Sequence, residues 1–196
     1  MFLDKIQKVH LIGVGGIGVS AVAKLLKVIG RQVTGSDIGE SETVEELKTL
    51  GITIYKGQAA ANIEDGLDLI VYTSAAPENN PERVEGKRRG IKELSYFEFL
   101  GEYSKDKMTV AVSGTHGKST TTAMLGLMAA EAGLDPTVIV GSKVKSFQYG
   151  NLRIGQSDLF IVEACEHMAN MLHLSPKMIV LTNIEEDHLD YYKNLG

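Results

Sequence analysis

The chain has 196 residues, 43% of them hydrophobic and 23% charged, with a formal net charge of −5. That leaves room for one large or two small domains with buried cores and excludes a disordered chain. The acidic balance excludes a surface built to attract nucleic acid or an anionic membrane over long range, so any anion is held locally, and a single cysteine, Cys165, excludes an internal disulfide.

The opening residues "MFLDKIQKVHLIG" have neither a basic leader nor a long apolar core, and no run approaches a bilayer span, so a cytoplasmic protein is expected. Short Val- and Ile-rich runs then alternate with segments of helical period, the pattern of βα units around a buried parallel sheet. In the first half, strands are predicted at "KVHLI", "QVTGS", "ITIY" and "DLIVYT". Helices are predicted at "GVSAVAKLLKVIG", "SETVEELKTLG" and "NPERVEGKRRG". The second of these carries its own end signals, with Ser41 as cap, acids in the first turn, a late lysine and Gly51 as the stop.

A polar stretch around "GEYSKDK" separates this series from the next, which places a domain boundary near Lys105 and gives domains at 1–105 and 106–196. Beyond it the pattern predicts strand "MTVAVS", a helix from Ser119 to about Ala132, and strands "TVIVG", "DLFIVEA" and "MIVLTN". No βα unit follows "DHLDYYKNLG" to cover the sheet, so the chain is expected to be part of a longer protein.

"GVGGIG", Gly13 to Gly18, follows a predicted strand and opens a predicted helix, the context of a dinucleotide fingerprint. Gly13 suits a tight turn and Gly15 a close approach of backbone to a diphosphate. Gly18 suits tight helix–strand packing, while the helix start offers its N–H groups to the anion. Asp37, ending the next strand, stands where a carboxylate accepts ribose hydroxyls. Taken alone the loop favours NAD, but its chemistry is that of any nucleoside diphosphate.

The second loop, "GTHGKS", lacks the first glycine of the general phosphate-loop pattern, because Val112 holds that position. Gly114 and Gly117 give backbone freedom, Lys118 is a point charge for β and γ phosphates, and Ser119 offers a hydroxyl to Mg2+. ATP is the expected ligand, and a second nucleotide site counts against a simple dehydrogenase. Glu163 ends a buried strand at the edge where ligands of open α/β sheets collect, a natural magnesium position. "IEEDHLD" brings Asp187, His188 and Asp190 to the same edge, and Glu166 and His167 also fall there. His116, inside the loop, reads equally as a substrate contact or a solvent-facing side chain.

The order of "HLIGVGGIGVSAVA", "GSD", "TSAAPENNPE", "AVSGTHGKSTTT", "VEA" and "TNIEEDHLDYY" resembles the Mur ligases across all 196 residues. The resemblance implies a Rossmann-like domain for a UDP-sugar, followed by part of a phosphate-loop central domain, with a third domain absent. It implies UDP-N-acetylmuramate at Gly13, Gly15, Gly16, Ile17, Gly18 and Asp37, with Thr73 and Ser74 nearby. ATP is implied at Gly114, Thr115, His116, Gly117, Lys118, Ser119 and Thr120, and Mg2+ at Ser119, Glu163 and His188. Catalysis falls to Lys118, Glu163 and His188. The T-H-G-K order resembles the L-alanine-adding and murein-peptide-recycling branches, and "GVGGIGVS" looks more like the former. Where many relatives read E-A-D-E-S-D, this chain has "EACEHM", with Cys165, His167 and Met168 as departures. The alternatives are the recycling branch, a nucleotide-sensing module without catalysis, and a protein that only binds the UDP-sugar.

Overall fold

The structure is a computed structural model and describes residues 2–186 and 191–192. It divides into two compact units, Met1–Phe99 and Leu100–Gly196. Among the described residues no helix is long and apolar enough to cross a membrane.

The first unit is a five-stranded parallel sheet in the order β3-β2-β1-β4-β5. Its strands are β1 (Lys8–Ile12), β2 (Gln32–Asp37), β3 (Thr53–Lys56), β4 (Leu69–Tyr72) and β5 (Lys92–Ser95), and its helices are α1 (Ile17–Val28), α2 (Glu42–Thr49) and α3 (Pro81–Arg88). Val9, His10, Leu11 and Ile12 of β1 are all fully buried, as a central strand covered on both faces requires. Ile12, Ile63, Leu67, Ile70 and Ala76 form one cluster of this core, with Tyr72 and Ile91 packed against it.

Local chemistry sets the helix starts. Ser41 Oγ accepts the Val44 N–H at 3.2 Å, and Asn80 Oδ1 accepts those of Glu82 and Arg83 at 2.9 and 3.3 Å, with Pro81 at the first helical position. β5 and α4 (Tyr96–Lys105) are elements beyond those expected from the apolar runs. α4 opens on a reciprocal capping box in which Ser95 Oγ accepts the Glu98 N–H and Glu98 Oε2 accepts the Ser95 N–H, at 3.2 and 2.7 Å.

A buried polar cluster sits inside this unit. Glu82 is fully buried and accepts from Ser36 Oγ and Asn62 Nδ2, both at 2.6 Å, while His10 Nε2 lies 3.6 Å away. Burial pushes the Glu82 carboxyl upward, but the neighbouring His10 imidazole and the hydrogen bonds from Ser36 and Asn62 outweigh it and hold the group below the usual glutamate value. A lowered folded-state pKa means the contribution is complete above the unfolded value and is lost as pH falls through the folded one. Acid titration followed by circular dichroism should show the first unit losing stability below the ordinary glutamate range, and Glu82→Gln should flatten that limb.

The second unit holds a five-stranded sheet in the order β10-β6-β9-β7-β8. Its elements are β6 (Met108–Ser113), α5 (Lys118–Glu131), β7 (Thr137–Ile139), β8 (Leu152–Arg153), β9 (Leu159–Glu163) and β10 (Met178–Leu181). Among the described strands only the β7–β8 pair is antiparallel. Val112, Val138, Val140, Phe147 and Ile161 make a core cluster against which Leu125 and Leu127 of α5 pack. β10 lies at one edge of the described sheet and exposes Met178, Ile179 and Leu181.

Candidate functional site

Register places the candidate residues of the first unit together. Ile12 pairs with Ser36 on one side and Tyr72 on the other, so Gly13, Asp37 and Thr73 emerge side by side at the carboxyl edge. Gly13 has φ +75°, and a Cβ there would stand 2.4 Å from Thr73 Cγ2, so the turn demands glycine on both counts. Its N–H and that of Val14 both donate to Ser36 O, at 2.9 and 3.1 Å, and the Gly15 N–H donates to Asp37 Oδ2 at 2.8 Å. Asp37 Oδ1 accepts the Gly39 N–H at 2.9 Å, so this carboxylate braces the loop with both oxygens.

Two further glycines of this loop make room for side chains, and at Gly18 the neighbour is not the strand that the sequence suggested. A Cβ on Gly15 would stand 2.8 Å from Asp37 Oδ2, so this position leaves room for the bracing carboxylate. A Cβ on Gly18 would stand 2.7–3.1 Å from ring atoms of Tyr96, so Gly18 makes room for an aromatic ring following β5 rather than for its own preceding strand. Gly16 stands at the cap of α1 with extended geometry and no side-chain capping bond, and Ile17 begins the helix. Beside them, Thr73 O accepts the Ala76 N–H at 2.9 Å, and Arg83 Nη1 donates to Ala76 O at 2.8 Å while its guanidinium stacks 3.8 Å from the Tyr72 ring centroid. Ser74, in the same loop, is exposed.

In the second unit, β6 leads into the glycine–lysine loop and α5 starts at Lys118, with Gly117 left-handed at the cap. β9 pairs with β6 so that Val112 faces Glu163, which brings Ser119 Oγ within 2.9 and 3.1 Å of the two Glu163 oxygens. The Gly141 N–H donates to Glu163 Oε2 at 2.8 Å and fixes its orientation. Lys118 Nζ donates to Gly114 O, Thr115 O and Glu166 Oε1 at 2.6, 3.0 and 2.8 Å. The ammonium is thus folded back over its own loop and paired with a carboxylate.

Thr182 and Asn183, which follow β10, clasp the loop from the other side. Thr182 Oγ1 donates to His116 O at 2.6 Å, and Asn183 Oδ1 accepts the His116 N–H at 2.9 Å. Gly114 has φ +134°, and a Cβ on it would fall 2.1 Å from Thr182 Oγ1. The His116 side chain is 68% exposed, with Nε2 3.8 Å from Glu185. Thr120, one residue past Ser119 in α5, is exposed.

The departing segment "EACEHM" runs into a 3-10 stretch, His167–His173, in which Met168 and Ala169 take φ of +52° and +57°. Each such non-glycine residue carries strain of order 1 kcal/mol. Met171 N–H donates to Cys165 O at 2.8 Å, and Tyr192 Oη donates to Glu166 O at 2.6 Å. The sequence places Glu166 at this edge but does not identify Lys118 as its partner. Gly141, Thr182, Asn183 and Tyr96 went unnoticed as contributors, since each acts across a strand order that no local pattern encodes. His188, with Asp187 and Asp190, lies outside the described residues.

Two α/β units, each with a glycine turn at the carboxyl edge of its parallel strands and the second with a lysine and serine opening its helix, define a phosphate-loop α/β protein. The chain belongs to the Mur ligase family: residues 8–108 match the Mur ligase family catalytic domain, and residues 112–196 match the Mur ligase middle domain. It is 47% identical over 195 residues to the UDP-N-acetylmuramate–L-alanine ligase of Salinibacter ruber, covering 99% of this chain and 41% of that protein. Likewise it is 47% identical over 193 residues to the same-named ligase of Clostridium botulinum, covering 42% of it.

Among solved structures, the UDP-N-acetylmuramate-alanine ligase of Thermotoga maritima superposes with a TM-score of 0.85 at 34% identity, over 95% of this chain and 44% of that one. The UDP-N-acetylmuramate:L-alanyl-gamma-D-glutamyl-meso-diaminopimelate ligase of Neisseria meningitides gives 0.87 at 29% identity, over 97% of this chain and 64% of that one. The chain therefore spans about two fifths of the length of the curated relatives it matches.

Proposed function

We propose that this chain carries the UDP-sugar and ATP sites of a cytoplasmic ligase. The enzyme joins L-alanine to the lactyl carboxylate of UDP-N-acetylmuramate in peptidoglycan precursor synthesis. The observation that carries the reading is the convergence of Lys118, Ser119 and Glu163 at one sheet edge, in a chain 47% identical to L-alanine ligases. The functional division follows the polar stretch near Lys105, with the UDP-sugar on the N-terminal side. A murein-peptide recycling activity is the second reading, favoured by the fold similarity to the Neisseria ligase but by a lower identity of 29%.

In the reaction, a lactyl carboxylate oxygen forms a bond to the γ-phosphorus of ATP as the bond to the β–γ bridging oxygen breaks, and ADP departs. The L-alanine amine then attacks the acyl carbon, loses a proton, and inorganic phosphate leaves with the acyl oxygen. Bringing a carboxylate to a polyanionic nucleotide is opposed by charge, so the protein's task is neutralisation and alignment. Lys118 supplies one positive charge at the β and γ phosphates after leaving Glu166. Gly114, Thr115, His116, Gly117 and Thr120 frame the phosphates around the start of α5.

The Ser119 hydroxyl and Glu163 carboxylate form an all-oxygen pair of the kind Mg2+ prefers, so the residues fit that ion, with His188 as a further expected ligand. When bound, Mg2+ offsets phosphate charge and orients the γ-phosphoryl group. Glu163 is held for that role by Gly141. In the first unit, Gly13, Gly15, Gly16, Ile17, Gly18 and Asp37 shape the UDP cradle, with Thr73 and Ser74 alongside.

Isothermal titration of this chain tests the reading. UDP-N-acetylmuramate and Mg-ATP should each bind at one site, with the affinity of one unchanged within about twofold by saturation with the other. Mutual displacement from a single site, or binding of neither, would sink the assignment.

A further inference from the structure

The cluster around Glu82 is not used by the reaction above, and stability alone does not account for it. A fully buried carboxylate costs several kcal/mol to desolvate, and a well-packed apolar side chain in its place is often neutral or better. Glu82 instead ties separate segments together. Its Oε2 accepts from Ser36 at the end of β2, and its Oε1 accepts from Asn62 in the 60–62 turn. Its helix start is anchored by Asn80. Across from it, His10 Nδ1 lies 2.8 Å from Thr34 Oγ1, while His10 Nε2 is buried without a hydrogen-bond partner of its own, 3.6 Å from Glu82.

Ser36 is the member of this cluster that reaches the glycine loop. Its hydroxyl is bound to Glu82, and its carbonyl accepts the N–H groups of both Gly13 and Val14. The next residue, Asp37, holds the N–H of Gly15. Three successive loop amides are therefore fixed by the Ser36–Asp37 dipeptide, which is paired in the sheet beside Ile12, Tyr55 and Lys56 and is tethered from below, through the Ser36 hydroxyl, to one buried carboxylate. The neighbouring Arg83, 6% exposed, does the same for the other wall: it holds Ala76 O of the 73–76 turn and is itself held by Glu93 at 2.9 Å. Adjacent residues of α3 thus brace both loops that flank the start of α1.

We propose that Glu82 and Ser36 are a positioning pair that sets the Gly13–Gly18 loop for the diphosphate of the UDP-sugar, an inference that rests on the UDP-sugar reading of this loop. Neither residue touches the ligand. They act through the Ser36 carbonyl, which converts a buried hydrogen bond into the direction of the loop's backbone.

The test uses Ser36→Ala, which keeps the backbone carbonyl but removes its tether, and Glu82→Gln, which removes charge but keeps a partner for Ser36, since the serine hydroxyl can turn to accept. Titration with UDP-N-acetylmuramate well below the melting temperature should show Ser36→Ala weakened about 5- to 20-fold, as expected for one or two lost hydrogen-bond equivalents. Glu82→Gln should stay within about threefold, and Mg-ATP affinity should be unchanged in both. Adding Ser36→Ala to Glu82→Ala should cost nothing beyond Glu82→Ala alone, because the two act as one unit.

Ser36→Ala that lowers the melting temperature but leaves UDP-sugar affinity within twofold would overturn the proposal and leave a purely structural role. A wild-type chain that binds Mg-ATP but no UDP-N-acetylmuramate would instead remove the reading beneath it, and the proposal with it.

Discussion

Lys118→Ala is expected to abolish Mg-ATP binding, a loss of about 100-fold or more, while UDP-N-acetylmuramate binding stays unchanged. Two effects add. The ammonium that would meet the β and γ phosphates is gone, and the Glu166 carboxylate, now paired with Lys118 at 2.8 Å, is left facing the incoming polyanion. Both side chains of this pair are mostly buried, at 15% and 18% exposure, so solvent screens the repulsion poorly. The double variant Lys118→Ala/Glu166→Gln separates the two by removing the repulsion, and part of the loss should return. Titration calorimetry on the three proteins decides the matter. Retention of nucleotide binding by the single variant would show that the glycine–lysine loop is not the phosphate site.

Gly13→Val should be the most disruptive single change in the first unit. The left-handed φ of +75° and the 2.4 Å approach to Thr73 act together, with a cost of roughly 2–4 kcal/mol. For a unit of this size that corresponds to a fall of about 10 °C or more in unfolding temperature. UDP-sugar binding should be lost along with it. Gly16→Ala is the contrast, since φ there is −68° and an added Cβ meets only Gly13 O, at 3.4 Å. Its unfolding temperature should remain within about 2 °C of wild type, which differential scanning calorimetry can resolve. Equal destabilisation by both would mean that local geometry does not govern this turn.

Much of the architecture was readable from apolar runs and end signals, because a parallel sheet covered on both faces needs unbroken Val and Ile strands. β1, β4, β6, β9 and β10 announce themselves in that way, whereas β2, "QVTGSD", carries a single valine, and Ser41 and Gly51 bracket α2. β5, "KELS", did not, since its four residues hold a lysine, a glutamate and a serine around one leucine. The start of α4 was nevertheless written in the sequence as Ser95-x-x-Glu98 and went unread. β8 is two residues long, and its Arg153 reaches Asp135, 18 positions earlier, a relation with no local signature.

The site residues divide along the same line. The loops themselves were legible because glycine, lysine and serine at fixed spacing have few other uses. Their supports were not, because they depend on strand order: β9 lies beside β6 rather than beyond β7, and only that adjacency puts Glu163 on Ser119. Glu82 reads in "NPERVEGKRRG" as one more charge on a solvated helix, yet α3 turns it inward under β2. Gly18 shows the same limit, since the glycine was visible and the tyrosine 78 positions later that requires it was not.

β10 carries a practical consequence for anyone handling these 196 residues by themselves. Met178, Ile179 and Leu181 are 61%, 65% and 54% solvent-accessible, on a border strand whose outer backbone groups offer a template for strand addition. Such a border favours self-association as concentration rises, so stickiness in a purified sample is expected from this ribbon of oily side chains even with both glycine loops correctly formed.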